Sequence, residues 1–263
     1  MPTITLGDLS TYYETCGEGE PLLLIHGTGS SREDWEWQVP VLRRAFTVVT
    51  YDVRGHGNTG KPVEAYSISQ FSNDAARLIT ALALGPVHVV GLGMGGMIAF
   101  QLALNSPNLV RSLVVVNSGP EMIPRTLRER FAIARQRVTV QAVGMPRIGR
   151  ALADRWFPRP EHASRRIAFA ARWSRNDKRA YTRVLDAMRG WSIVDRLGDI
   201  DCQVLVLAAD HDDTPVARKR AYTARIRNAS LVVIPDSHHG LPIECPEQFN
   251  NALCCFLSTV RIQ

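Results

Sequence analysis

The chain has 263 residues, of which 45% are hydrophobic and 21% are charged, and its formal net charge is +6. This composition is typical of a globular protein and fits one large α/β domain, with or without an insertion. No apolar run reaches the roughly 18 residues of a membrane-spanning helix, and the first ten residues lack both regions of a signal peptide. We therefore expect a cytoplasmic protein with no membrane partner.

The five cysteines, at positions 16, 202, 245, 254 and 255, are scattered along the chain and show no metal-binding spacing. An odd, dispersed set of this kind indicates reduced thiols and no disulfide framework. The sequence contains no other cluster of metal ligands, so we expect no bound metal.

The positive charge is concentrated in one part of the chain. Residues 121–196 contain 18 Lys and Arg against 7 Asp and Glu, whereas the remainder contains 13 against 18. A basic segment on an acidic body could attract a small-molecule substrate with an acidic group. Alternatively, its arginines form a solvated helical surface. They alternate with apolar residues and form no continuous tract, so we expect no nucleic-acid partner.

Eight short runs predict β-strands. Two flank the turn at Gly7 and Asp8, and the others are continuous apolar runs, which are typical of buried parallel strands. In chain order the runs are TITL, TYYET, PLLLIHG, FTVVTYD, VHVVG, SLVVVNSG, QVLVLAAD and SLVVIPD. Helical patterns lie between them: SREDWEWQVPVLRRA, SISQFSNDAARLITALAL, GGMIAFQLALNS and PVARKRAYTARI. This alternation predicts an α/β fold with a mostly parallel eight-stranded sheet and helices on both faces.

The alternation is interrupted once, over residues 121–196. This part contains four helical stretches, punctuated by prolines, and no strand-like run. Because it falls between two strands, we predict a helical cap inserted over the carboxyl ends of the sheet, where open α/β sheets bind ligands. The core would then consist of residues 1–120 and 197–263.

The glycine-rich stretch VVGLGMGG permits two interpretations. Gly91, Gly93 and Gly96 form the G-x-G-x-x-G pattern that binds a dinucleotide pyrophosphate. That pattern requires an acidic residue at the end of the next strand, but SLVVVNSG contains Asn117 and Ser118 there. In the second interpretation the stretch is a G-x-S-x-G nucleophile elbow, with Gly93 where the serine belongs.

Five blocks in chain order favour the second interpretation, and together they resemble the α/β-hydrolase fold superfamily. LLLIHGTGSS resembles its oxyanion-hole loop, and VVTYDVRGHGNTGKP resembles its D-x-R-G-x-G-x-S segment, with Thr59 in place of serine. VHVVGLGMGGMIAFQLALNSPNLVRSLVVVNS resembles the elbow, VLVLAADHDDTPV the acid loop, and LVVIPDSHHGLPIECPEQFNNALCCFL the histidine loop. The order of elbow, acid and histidine is that of the family. The resemblance covers nearly the whole chain and implies the capped branch of esterases and lactonases.

The resemblance implies a base and the acid that orients it. His239 corresponds to the family histidine and Asp212 to the acid, whose carboxylate would hold the imidazole in one tautomer. His238 lies beside the first, and Asp210 and Asp213 lie beside the second, so each is an alternative.

The resemblance also implies an oxyanion hole formed by the backbone N–H groups of Thr28 and Met94. His26 would shape the loop that carries Thr28. Asp52 and Arg54 would tie loops beneath the site and take no part in the chemistry.

Residues that follow strand ends or lie in the cap are candidates for contact with substrate. Met122 and Ile123 follow a predicted strand, and Trp156 and Trp173 belong to the helical stretches. These four are our predicted substrate-binding residues. Most aromatic residues of this segment should instead pack against the sheet.

Gly93 leaves three hypotheses open. Glycine adopts the strained backbone of an elbow easily but supplies no attacking oxygen. The chain could be a serine hydrolase for an ester, lactone or similar acyl substrate whose serine has been replaced. It could be a natural enzyme in which His239 and Asp212 activate water or remove a proton, as in a lyase or epimerase. It could also be a binding protein, although such a protein needs neither residue. No cofactor is implied, and the sequence does not determine the oligomeric state.

Overall fold

Eight strands form a single sheet in the computed structural model. The structure describes residues 2–261, and for 128–130, 132–134, 136–137 and 261 it describes the backbone alone. The strands are β1 (Thr3–Leu6), β2 (Leu9–Cys16), β3 (Glu20–Ile25), β4 (Phe46–Tyr51), β5 (Val87–Leu92), β6 (Val110–Val116), β7 (Gln203–Ala209) and β8 (Ala229–Ile234). Each predicted run therefore forms a strand.

The strands lie in the order β1-β2-β4-β3-β5-β6-β7-β8. β1 pairs with β2, and β2 with β4, in antiparallel fashion, and all other neighbours are parallel. This confirms the predicted fold class. The carboxyl ends of β3, β5, β6, β7 and β8 consequently lie along one edge of the sheet, where the loops that follow them meet.

Ten helices accompany the sheet in the described part of the chain. They are α1 (Val39–Leu42), α2 (Ile68–Ala81), α3 (Met94–Asn105), α4 (Leu127–Val143), α5 (Met145–Trp156), α6 (Ala163–Ser174), α7 (Lys178–Met188), α8 (Val216–Thr223), α9 (Leu241–Glu244) and α10 (Pro246–Arg261). Successive residues of β3 face opposite layers: Leu23 packs with α2 and α3, and Leu24 packs with α1, α9 and α10. The helices thus cover both faces of the sheet.

One predicted helical pattern is broken. The run SREDWEWQVPVLRRA forms a 3₁₀ turn over Arg32–Trp35 and then the four-residue helix α1. Pro40 lacks the N–H that would continue the hydrogen bonding of the preceding turn, so it starts a new helix. Trp35 is fully buried, and the Gln38 side chain donates to the carbonyl of Pro242 at 2.9 Å.

Helices α4 to α7 lie between β6 and β7 in the chain, within residues 121–196, which we call the helical segment. They share a hydrophobic cluster that includes Phe157, Phe169, Trp173 and Tyr181. The division of the chain into a core and a cap stays a prediction.

The arginines of the helical segment have a use that the sequence did not reveal. Five of them reach acidic side chains or carbonyl oxygens outside the segment: Arg155, Arg159, Arg165, Arg172 and Arg175. Part of the positive charge of this segment is therefore paired with acidic residues outside it.

Glycines allow helix α3 to begin directly beside the end of β3. A methyl carbon on Gly95 would lie 2.2 Å from the carbonyl oxygen of Ile25, and one on Gly91 would lie 2.2 Å from the carbonyl oxygen of Gly95. Both contacts are with backbone atoms, which cannot move aside as a flexible side chain can. The close approach of strand and helix therefore requires glycine at both positions.

We expect Gly95→Ala to lower the free energy of unfolding by about 1–3 kcal/mol, because the added methyl group forces the backbone of α3 away from β3. Urea denaturation measures the change. Gly198→Ala is the matched control, since no atom lies within 4 Å of its added carbon, and it should shift stability by less than about 0.5 kcal/mol. Equal effects of the two substitutions would contradict the proposed close approach.

Candidate functional site

A cavity of about 700 Å³ lies at the carboxyl edge of the sheet. Its walls come from the loops after β3, β5, β6, β7 and β8 and from the helical segment. Gly93, His239 and Trp156 all line it. This is the position in which open α/β sheets bind ligands.

Gly93 forms the turn between β5 and α3, with φ 53° and ψ −113°. Few residues other than glycine adopt this backbone conformation without strain. The turn is held on both sides: the Gly93 N–H donates to the carbonyl of Val116 at 2.9 Å, and its carbonyl accepts from the Ser118 hydroxyl at 2.6 Å. A side chain at position 93 would begin 3.2 Å from Nε2 of His239.

His239 and Asp212 form a hydrogen-bonded pair facing this turn. Nδ1 of His239 lies 2.6 Å from Oδ1 of Asp212, whose side chain is fully buried. Burial by itself would raise the pKa of Asp212, but the bond with His239 and the charge of Lys219 outweigh it and hold that pKa below its ordinary value. An ionised carboxylate can only accept, so Nδ1 carries the proton and the lone pair of Nε2 faces Gly93.

The neighbouring histidine and acids are engaged elsewhere. Nδ1 of His238 lies 2.9 Å from Oε1 of the buried Glu244. Asp210 accepts the backbone N–H groups of residues 236 and 237, each at 3.0 Å, and so stabilises the histidine loop. Asp213 pairs with Arg155. Geometry thus distinguishes His239 and Asp212 from the alternatives that the sequence left open.

Asn117, which the sequence showed only as the end of a strand, connects the acid and histidine loops. Its amide nitrogen donates to the carbonyls of His238 and His239 at 3.2 and 3.1 Å, and its amide oxygen accepts from the N–H of Ala209 at 2.8 Å. The backbone of Asn117 has φ 43°, which asparagine tolerates better than most residues. An asparagine at the end of a predicted strand, a residue type that tolerates this conformation, is the sequence signal that could have identified it.

Thr28 and Met94 both line the cavity, and Met94 directly follows Gly93 in the chain. Their backbone N–H groups donate to no acceptor among residues 2–261. Such donors at a turn and at the start of a helix are suited to bind a negatively charged oxygen. The Thr28 hydroxyl points away, toward the sulfur of Met188 in α7 at 3.2 Å.

Two neutral histidines hold residues 26–31, which we call the β3 loop. Nε2 of His26 accepts the N–H of Val53 at 2.9 Å, and Nε2 of His56 accepts the N–H of Gly29 at 3.1 Å. Burial lowers the pKa of His26 to about 4 and that of His56 to about 3, and in His56 the nearby His26 adds to the effect. Both rings therefore stay neutral at pH 7 and can accept these bonds.

Asp52 and Arg54 have contacts of the kind predicted for them. Asp52 accepts the backbone N–H groups of Arg32 and Asn58 at 2.9 and 2.8 Å. Arg54 forms a two-point pair with the buried Asp74, at 2.7 and 2.9 Å. Neither Asp52 nor Arg54 lines the cavity.

Three of the four predicted substrate contacts line the cavity: Met122, Trp156 and Trp173. The Trp156 ring stacks over His239 with ring centroids 4.5 Å apart. Trp173 is buried against Gly29 of the β3 loop. Ile123 does not line the cavity and is 42% exposed, because the backbone pairing of Met122 with Trp191 turns the next side chain outward.

The fold and this site define a class of protein: an α/β sheet whose carboxyl edge brings a histidine–carboxylate pair to a strand–turn–helix elbow. The model of the alpha/beta hydrolase family matches residues 22–252, so the chain belongs to that family. The dinucleotide interpretation of the glycine turn is not supported, since the chain belongs to this family and Asn117, not an acidic residue, follows β6.

Individual relatives are consistent with a hydrolase-type function on small molecules. The chain is 30% identical, over 95% of both chains, to the (E)-2-((N-methylformamido)methylene)succinate hydrolase of Acinetobacter baylyi. An esterase from Thermogutta terrifontis, solved with malate bound, has a TM-score of 0.89 at 25% identity and 98% coverage of both chains. The enol-lactonase of Burkholderia xenovorans has a TM-score of 0.91 at 23% identity, covering 98% of this chain and 100% of its own, and shows the fold alone.

Within residues 2–261, no helix is both long and apolar enough to cross a membrane. Among the same residues, no three or more side chains of the metal-binding types lie close enough together to hold a metal ion.

The neutrality of His56 should be visible in the pH dependence of stability. Its pKa is lower in the folded chain than the ordinary 6.5, so the unfolded chain binds the extra proton below pH 6.5 and the folded state loses stability as the pH falls toward 3. His56→Gln does not titrate. We expect the difference in unfolding free energy between parent and variant to fall by about 1.4 kcal/mol per pH unit below pH 6.5.

Urea denaturation at pH 7.5, 6.0 and 5.0 measures this slope. His211→Gln, at a side chain that is 58% exposed, is the control for the substitution itself. A parent–variant difference that stays constant with pH would contradict a neutral His56.

Proposed function

We propose that this chain has the site of a serine-type acyl hydrolase, for an ester, lactone or similar carbonyl substrate, with Gly93 at the position of the nucleophile. The observation that carries the proposal is the geometry at the turn: the strained elbow backbone is kept, and a side chain there would begin 3.2 Å from Nε2 of His239. That distance suits a hydroxyl placed to donate its proton to the imidazole.

Each remaining group would have a role in acyl transfer. With serine at position 93, the hydroxyl oxygen would attack the carbonyl carbon while His239 takes its proton and later passes it to the leaving group. Asp212 would stabilise the protonated imidazole, and the N–H groups of Thr28 and Met94 would stabilise the developing oxyanion. Water would then release the acyl group from the serine. With glycine there, substrate binds but this covalent route is closed.

The helical segment is proposed to act as a cap. Nine of its described apolar and aromatic side chains line the cavity together with the sheet loops, among them Leu152, Phe169, Tyr181 and Leu185. Such a lining excludes water from the reacting carbonyl and strengthens the electrostatic interactions within the site. Met122, Trp156 and Trp173 are the proposed substrate contacts.

We expect Gly93→Ser to raise the rate of hydrolysis of p-nitrophenyl esters by at least about 10³-fold, because it restores the attacking oxygen. Gly93→Ala is the matched control: it has the same backbone strain and a similar carbon, but no hydroxyl. Adding His239→Gln to the serine variant should remove the gain. Equal rates for the serine and alanine variants, across esters, thioesters and lactones, would contradict the proposal.

One observation favours a second candidate function, in which the chain acts as it stands. The His239–Asp212 pair is complete, and the free nitrogen of His239 opens onto the cavity. Such a pair could activate a water molecule or remove a proton from substrate without a covalent intermediate. In that case the parent chain has an activity that His239→Gln abolishes, and Gly93→Ser fails to improve it.

We also propose that the substrate carries an acidic group. The cavity lining includes four arginines and three acids, and two of the arginines are paired within it: Arg125 with Glu121, and Arg155 with Asp213. Burial raises the pKa of the third acid, Asp34, to about 6, so this acid loses its negative charge only in mildly acidic solution. The names of two relatives contain succinate and malate, both dicarboxylates. These observations together favour an anionic ligand.

Arg225 is the arginine best placed to bind that group. It lines the cavity just beyond α8, and the side chains that the structure describes form no ion pair with it. Arg225→Gln should weaken the binding of succinate about tenfold, the value of one charge-assisted hydrogen bond. Arg220→Gln, on the same stretch but outside the cavity lining, should have no effect.

Isothermal titration calorimetry of the parent and the two variants measures this difference. Raising the salt concentration from 0.05 to 0.5 M should weaken the binding of succinate but not of its diamide, since only the charged ligand is screened. Equal affinities for succinate and its diamide would contradict an acidic substrate.

A further inference from the structure

Besides His239, Asp212 has a cationic partner that the role of the site does not by itself require. The ammonium group of Lys219, in α8, donates to Oδ2 of Asp212, on the side of the carboxylate opposite His239. The same nitrogen donates to the carbonyl of Thr214 at 2.7 Å. The two oxygens of one carboxylate are thus divided between an imidazole and an ammonium group.

This arrangement is buried and costly. The side chains of Lys219 and Asp212 are both fully buried. A buried ion pair of this kind is often no more stabilising than apolar residues of the same size, because both charges lose their hydration. A hydrogen bond to Asp212 could also have come from a neutral side chain or a backbone N–H, as the N–H of Thr214 partly provides at 3.3 Å. A full positive charge here therefore calls for an explanation beyond packing.

The explanation lies in what the charge does to the neighbouring imidazole. A carboxylate stabilises a protonated histidine in proportion to the negative charge that the histidine senses. An ammonium group hydrogen-bonded to the same carboxylate cancels part of that charge and adds its own repulsion. Both effects oppose protonation of His239.

We propose that Lys219 is a positioning residue that fixes the Asp212 carboxylate toward His239 and, through that carboxylate, opposes protonation of Nε2 of His239. This inference rests on the proposed role of His239 as a base. It adds a third member to the pair, acting through Asp212 and not on the substrate.

Other groups around the pair leave this assignment intact. The Tyr222 hydroxyl, from α8, donates to the carbonyl of Ser118 at 3.1 Å, and burial raises its pKa so far that it stays neutral. Arg155, Asp213 and Arg218 lie on the cavity lining, and His238 is paired with Glu244. Trp156 covers the ring of His239 without a charge. Lys219 is the cation in direct contact with Asp212.

Lys219→Met tests the charge, and Lys219→Gln separates charge from hydrogen bonding. Methionine has a similar length and fits a buried position, while glutamine can still donate to Asp212. The first measurement is an NMR titration of the His239 imidazole in the otherwise unchanged chain, with the signal assigned from His239→Gln. We expect the titration midpoint to rise by about one pH unit or more in both Lys219 variants.

The exposed Arg220→Met, one residue further along α8, is the matched control for loss of a positive charge and should leave the midpoint unchanged. An unchanged midpoint in folded Lys219→Met or Lys219→Gln would overturn the proposal. A rise in the methionine variant alone would also overturn the electrostatic role, because glutamine keeps the hydrogen bond and removes only the charge.

The second measurement uses the Gly93→Ser background, in which the acidic limb of the pH–rate profile for ester hydrolysis should move to higher pH when Lys219 is replaced. Failure of Gly93→Ser to hydrolyse any ester would count against the proposed function alone, since the NMR titration needs no turnover. A shifted titration with an unshifted rate profile would show that Lys219 affects His239 but that His239 is not the base.

Discussion

The arrangement of the site depends on one hydrogen bond, between Nδ1 of His239 and the carboxylate of Asp212. It fixes the tautomer of the imidazole, and with it the direction of the lone pair on Nε2. The bond joins two loops 27 residues apart, which meet because β7 and β8 are parallel neighbours. Asn117, directly after β6, hydrogen-bonds both to the end of β7 and to the histidine loop. Residues at the ends of three strands therefore position this one contact.

Close backbone packing brings the elbow to this pair. Because Gly91 and Gly95 lack side chains, α3 starts directly against the carboxyl end of β3, and the turn at Gly93 lies beside His239. The N–H of Met94 is then left free at the start of the helix, near the β3 loop. Gly91, which belongs to the pattern that resembles a phosphate-binding turn, thus has a different role here, which is to make room for the backbone of Gly95 at the start of α3.

Polar groups beneath the site are neutral or paired, each for a physical reason. The β3 loop is held by imidazoles that must remain uncharged to accept backbone N–H groups, and burial ensures that they do. The charges of Asp212 and Lys219, by contrast, are buried as a pair. Five arginines of the helical segment meet acids or carbonyl groups outside it, so these contacts join the segment to the rest of the chain.

The sequence by itself determined the local structure and the order of the functional loops. Alternating apolar runs and helical patterns predict all eight strands, since local periodicity reflects which faces are buried. That position 93 is a glycine is likewise read from the sequence alone. Only the tertiary structure decided which of two adjacent histidines meets which of three nearby acids, because loop direction, not spacing, separates these residues. It also placed Lys219 and Asn117, whose partners lie on other elements of the chain, and turned Ile123 away from the cavity. Such contacts depend on how distant segments of the chain pack together, and a local sequence pattern does not show this.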